Sequence, residues 1–151
     1  MWTRLIGWVL AAGFTGASFD FLAACAMSDK TPYQVAQAVS TGWYGKGPKG
    51  LTEALVGAAS HYAILIVAAA IYAAAALRFP LLWRRPVPMG LLFGAGIFAV
   101  MRLVVLPLTP VGWTHWKPIH AVDFASNVLL AGLPIALIVA AGVRRAVEGG
   151  R

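Results

Sequence analysis

Polar residues interrupt this chain only at long intervals. Between them lie four apolar runs, at residues 5–27, 54–77, 88–108 and 119–143. Each is roughly 20 to 25 residues long, and about 20 suffice to cross the hydrocarbon core of a bilayer at 1.5 Å per residue. Alanine and glycine abound in these runs, which would also suit buried helices of a soluble core. Four such runs in 151 residues favour the membrane. The pattern predicts an all-α polytopic membrane protein, with four transmembrane helices bundled as a single domain over residues 1–151.

The only long polar connection runs from Ser28 to Thr52. Within it, Thr31-Pro32-Tyr33-Gln34 carries the marks of a helix start. Thr31 can cap, Pro32 suits the first helical position, and Gln34 completes a capping box. The spacing predicts a short extracytoplasmic interfacial helix over 32–40, with Tyr33, Val35, Ala36 and Val39 available as an apolar side. It would lie in the interface or fold back over the bundle, as a passive cover or a lid. Gly42, Gly45, Gly47, Pro48 and Gly50 then predict an irregular loop. They do not make a phosphate-binding loop, since no strand precedes them and no Lys-Ser or Lys-Thr pair follows.

Charge refines this layout. The chain is 60% hydrophobic and only 11% charged, with a formal net charge of +7. Its basic residues flank the apolar runs instead of forming an aromatic-interleaved stripe, so the expected partner is the lipid bilayer and not nucleic acid. Arg4, Arg78, Arg84, Arg85, Arg144, Arg145 and Arg151 fall on one side of the predicted layout, against Lys30, Lys46, Lys49 and Lys117 on the other. The bias predicts cytoplasmic termini. Trp2, Trp8, Trp43, Tyr44, Trp83, Trp113 and Trp116 fall near helix ends, where headgroups favour them. Leu22-Ala23-Ala24-Cys25 has the small-residue form of a lipidation signal. Asp20 spoils the hydrophobic stretch such a signal needs, which leaves Cys25 as a packed helical residue. A single cysteine excludes an internal disulfide and a thiolate cluster.

The candidate chemistry lies in the few polar residues of the apolar runs. Asp20, His61, Arg102 and Asp123 come from four different runs, yet counting from the run ends puts all of them in the outer half. His120, Asp123 and Asn127 follow i, i+3, i+7 spacing and share a helix face. These six residues form a predicted buried polar cluster. A charge in hydrocarbon is costly, so each needs a partner, a cavity or a pathway. The leading expectation is an internal ion pair of Arg102 with Asp20 or Asp123 that fixes helix register. The alternative is a wet path for protons or ions, because two aspartates and one arginine leave an excess of one negative charge. His61, His120 and Asp123 form a weaker N/N/O metal set, and His61 alone could be an axial haem ligand. No cofactor is predicted, and haem and metal stay open as alternatives. No nucleophile elbow or triad accompanies Ser60 or Ser126, so no catalytic residue is assigned. Gly13, Gly16, Ala17, Gly57, Gly90 and Gly94 suit close helix packing.

Gly16 through Asp20, Pro32 through Gly42, Gly57 through His61-Tyr62, Met101-Arg102 to Pro107, and Gly132-Leu133-Pro134-Ile135-Ala136-Leu137 together cover most of the chain. In these short motifs the chain resembles an uncharacterised family of small four-helix bacterial inner-membrane proteins, loosely YagU-like. The resemblance implies the four-helix layout and carries over no catalytic roles. It also implies a neutral polar residue, often asparagine, at the position of Arg102, which would make an Arg102 ion pair a local specialisation.

The functional expectation is a structural or accessory integral membrane protein, packing against other membrane subunits through its small-residue faces. The alternative is a small ion- or proton-coupled transporter or channel using the buried Asp and Arg residues. An enzyme is the weakest reading.

Overall fold

The computed structural model describes residues 2–47 and 50–148. Pro48, Lys49 and Arg151, which enter the expectations above, lie outside the described residues, as do the side chains of Trp2 and Arg4. The described chain is helical and contains no strand. Helix α1 (Trp2–Ser28) is followed by two short helices, α2 (Pro32–Val39) and α3 (Thr41–Tyr44). Then come α4 (Leu51–Arg78), the short α5 (Leu81–Arg84) and α6 (Pro86–Val100). Helices α7 (Ile119–Ser126) and α8 (Leu133–Glu148) complete the chain.

Four helical stretches are long and apolar enough to cross a membrane: Leu5–Ser28, Leu51–Arg78, Pro86–Leu108 and Ile119–Glu148. Two of them change pitch partway. α6 continues into a π turn at Met101–Val105 and a 3-10 turn at Leu106–Leu108, and a π turn at Asn127–Gly132 joins α7 to α8. A proline stands two residues beyond each π turn, Pro107 and Pro134. Its ring would clash with the carbonyl four residues back, and its missing N–H leaves that carbonyl without its usual donor, so the helix widens.

Local signals account for the ends of the elements. Asp29 takes a left-handed conformation (φ 52°) after α1, and the Lys30 amide reaches back to the Cys25 carbonyl at 3.3 Å, closing the last turn. The capping box at α2 is present: the Gln34 amide donates to Thr31 Oγ1 at 3.3 Å, and the Thr31 amide donates to Gln34 Oε1 at 3.0 Å. α2 folds back onto α4 with Val35 and Ala36 buried. Gly57 permits this approach, since a Cβ there would collide with the Ala36 carbonyl oxygen.

α1 packs between α4 and α8, and α6 packs along the fourth long stretch. The core joins Leu5, Val9 and Ala12 of α1 with Leu65, Ala69, Tyr72 and Ala73 of α4, and with Ile135, Val139 and Val143 of α8. α6 and the fourth stretch meet backbone to backbone, so that a Cβ on Gly94 would lie 2.5 Å from the Asn127 carbonyl oxygen. α6 reaches α4 by a ring contact, with Tyr72 and Phe93 centroids 4.8 Å apart. At one end of the molecule the Arg144 guanidinium donates to the Trp83 carbonyl at 3.1 Å, and Arg145 sits 5.0 Å above the Trp8 ring. Arg78, Arg84 and Arg85 belong to the same end, between α4 and α6.

Candidate functional site

At the opposite end the four long stretches do not close on one another. They enclose a cavity of about 440 Å³. Asp20, His61, Arg102, Asp123 and Asn127 all line it, one or two from each long stretch. Thr41, Gly42 and Trp43 roof it, and Thr109 stands at its edge. Ile64, Leu65, Ile97, Phe98 and Met101 supply much of its apolar wall. Each π turn contributes here: Met101, Arg102 and Val105 from the first, and Asn127 from the second.

The polar contacts link α1 with α4 and α7. The buried Ser126 hydroxyl donates to Asp20 Oδ1 at 2.7 Å. Asp20 Oδ2 is 4.0 Å from His61 Nε2, an ion pair only when the imidazole is protonated. His61 Nε2 is 3.0 Å from the Ala17 carbonyl. A carbonyl can only accept, so Nε2 carries the proton, and in the neutral ring Nδ1 is an acceptor. Beside this link the Ser18 and Tyr62 hydroxyls lie 3.2 Å apart, and Phe21 packs 5.5 Å from the His61 ring. The roof is pinned as well, with the Trp43 indole N–H donating to Ser60 Oγ at 2.8 Å.

The expected pairing of Arg102 with an aspartate is absent among the described residues. Arg102 Nη2 donates instead to the Thr114 carbonyl at 3.2 Å and the His115 carbonyl at 3.5 Å. Its guanidinium lies 5.7 Å from the centre of the Trp116 ring. Trp116 in turn packs on Phe98, with ring centroids 6.3 Å apart. The physical reason is proximity along the chain. The irregular segment between Leu108 and Ile119 returns over the end of its own helix and offers unpaired carbonyls. Arg102 therefore ties that loop to the third long stretch. The Asp123 carboxylate takes no hydrogen bond or ion pair from any described residue.

Of the predicted cluster, His120 alone stays out of the cavity wall. It sits in the first turn of α7, where its Nδ1 accepts the amide of Lys117, just ahead of the helix, at 2.9 Å. Asn127 lines the cavity, while its side-chain amide donates to the Asp123 backbone carbonyl at 2.9 Å. The proposed His61, His120 and Asp123 metal set does not assemble: among the described residues no three His, Cys, Asp or Glu side chains group closely enough to hold an ion. Cys25 is a half-buried free thiol inside α1. Ser126 was missing from the predicted cluster, although its place three residues after Asp123 on the same helix was a usable signal. Asp123 also borders a second crevice, lined by Met27, Lys30 and Ile119, so its carboxylate stands where the two hollows meet.

The arrangement can hold a proton or a cation among acceptors drawn from several helices, inside walls that are otherwise apolar. No protein-family model, no curated protein and no solved structure matches this chain.

Proposed function

We propose that this is a small polytopic protein of the bacterial inner membrane that moves a proton or a small cation, as an ion- or proton-coupled transporter. The observation that carries this reading is that Asp20 and Asp123 face one cavity with no arginine or lysine paired to either among the described residues. Ionisable groups in a membrane segment ordinarily pair with each other or line a pathway. Arg102 gives its Nη2 to the loop and lies in no ion pair with a described aspartate, so the scaffold reading loses its central contact. Nor do the small-residue faces favour an accessory subunit. Gly13, Gly90, Gly94 and Gly132 already meet other helices of the same chain.

In this reading the arginine-bearing end is cytoplasmic, as the distribution of basic residues favours. The cavity then opens toward the outside under the cover of α2 and α3. Leu65, Ala69, Tyr72, Ile135 and Val139 form the dry barrier that must part for passage. Purified protein in sealed liposomes containing a pH-sensitive dye tests the proposal. An imposed pH gradient should decay faster than in empty liposomes. The acceleration should disappear in Asp20→Asn and Asp123→Asn variants that retain the parental melting temperature. Flux equal to that of empty liposomes under proton, sodium and potassium gradients would sink the transport reading.

A further inference from the structure

We propose that the cavity binds an amphipathic monoammonium compound, a primary amine carrying an apolar body, with its ammonium at Asp123. This inference rests on the reading of the cavity as the functional site and names the ligand class it takes.

The first argument is the supply of donors and acceptors in the wall. The hydroxyl and indole donors are already spent. Thr41 donates to the Ala38 carbonyl at 2.6 Å, Ser60 to Val56 at 2.7 Å, and Thr109 to Leu106 at 2.8 Å. Ser126 donates to Asp20, the Trp43 indole to Ser60, and the Asn127 amide to the Asp123 backbone. Arg102 turns its Nη2 to loop carbonyls and keeps Nη1 and Nε. The acceptors remain: both Asp123 carboxylate oxygens, Asp20 Oδ2, and Nδ1 of a neutral His61. At Asp123, whose oxygens take no hydrogen bond from a described residue, a partner must bring N–H groups, and an ammonium brings three.

Charge sets the valence. Asp20, Asp123 and Arg102 sum to one negative charge in the wall, which a monocation neutralises and a dication would overshoot. A divalent metal would need several converging ligands, and no group of three forms among the described residues. The remaining surface sets the body of the ligand. Ile64, Leu65, Ile97, Phe98 and Met101 line a volume of about 440 Å³, within the range of small-molecule sites. Phe98 and Trp43 add aromatic faces that attract a cation.

The test uses the whole protein in nanodiscs of zwitterionic lipid, titrated calorimetrically with 4-phenylbutylammonium, 4-phenylbutanol and 4-phenylbutyrate, with empty nanodiscs subtracted. The ammonium should bind saturably at one site, and the alcohol and carboxylate about tenfold or more weaker. Asp123→Asn should weaken the ammonium by about tenfold or more, whereas Asp29→Asn, outside the cavity, should leave it unchanged. Equal binding of the three probes, heat no larger than that of empty discs, or an Asp123→Asn variant with parental affinity would each overturn the proposal. Should Asp123→Asn fail to fold, the ranking of the three probes on the unmodified protein decides the matter. Equilibrium binding requires no flux. Saturable ammonium binding without ion movement would therefore uphold this inference and sink the transport reading, and ion movement without ammonium preference would do the reverse.

Discussion

The two ends of the molecule solve opposite problems with similar residues. At the arginine-bearing end small residues let helices pack closely, and Gly142 rests against Trp8 where a Cβ would not fit. Polar groups there are closed off: the buried Tyr72 hydroxyl donates to the Leu82 carbonyl at 2.9 Å, and Arg144 donates to Trp83. At the other end, prolines and π turns widen the third and fourth stretches, and the Asp123 carboxylate lines a cavity with no hydrogen bond from a described residue. The difference teaches that composition alone does not distinguish a packed half from a hollow one. Helix pitch and the fate of each hydrogen-bond donor do.

Substitutions that reach across this contrast should differ in size. Gly94→Leu would force apart α6 and the Asn127–Val128 backbone, and should cost about 3 kcal/mol or prevent folding. Thermal melting in detergent would reveal it, and a parental melting temperature would mean that the two stretches are not in close contact. Tyr72→Phe strands the Leu82 carbonyl in the packed half and should cost about 1 to 2 kcal/mol by the same measurement, without altering ligand binding. Ser126→Ala removes one hydrogen bond from Asp20 and should cost about 1 kcal/mol. Unlike Tyr72→Phe, it should also slow flux, because the Ser126 hydroxyl holds the Asp20 carboxylate in the cavity wall. Parental flux in a folded Ser126→Ala variant would remove that contact from the pathway.

Arg102→Met should have the smallest effect on stability, below about 1 kcal/mol, because it releases a loop and leaves no carboxylate unpaired. Had Arg102 been the partner of an aspartate, its loss would have cost on the order of 3–5 kcal/mol. A large drop in melting temperature would therefore restore the ion pair as the organising contact of this end.

The framework that carries this contrast was legible in the sequence. The four apolar runs and the Thr31–Gln34 capping box follow from spacing alone, because both depend on residues close in sequence. Equal depth pointed to Asp20, His61, Arg102 and Asp123 as neighbours, and they do border one hollow. Depth could not say which way a long side chain turns. Arg102 had loop carbonyls from Thr114 and His115 within reach, and nothing in the spacing ranks a backbone acceptor against a distant carboxylate. His120 shared a face with Asp123 but lay in the first turn of α7, where a free amide claimed its ring nitrogen. The π turns were hidden for a similar reason: Pro107 and Pro134 announce a distortion without saying whether the helix kinks, breaks or widens.

The dry stretch of α4 has an electrical consequence. From His61 to Arg78 the helix runs about 25 Å at 1.5 Å per residue. In a polarised membrane a water-filled hollow stays near the potential of the side it opens to, so most of the voltage drops across that apolar stretch. A charge leaving Asp123 for the arginine-bearing end would cross nearly the whole of it, worth about 2.3 kcal/mol for every 100 mV. In the proposed transport, the packed half would thus be both the barrier and the place where the field does its work.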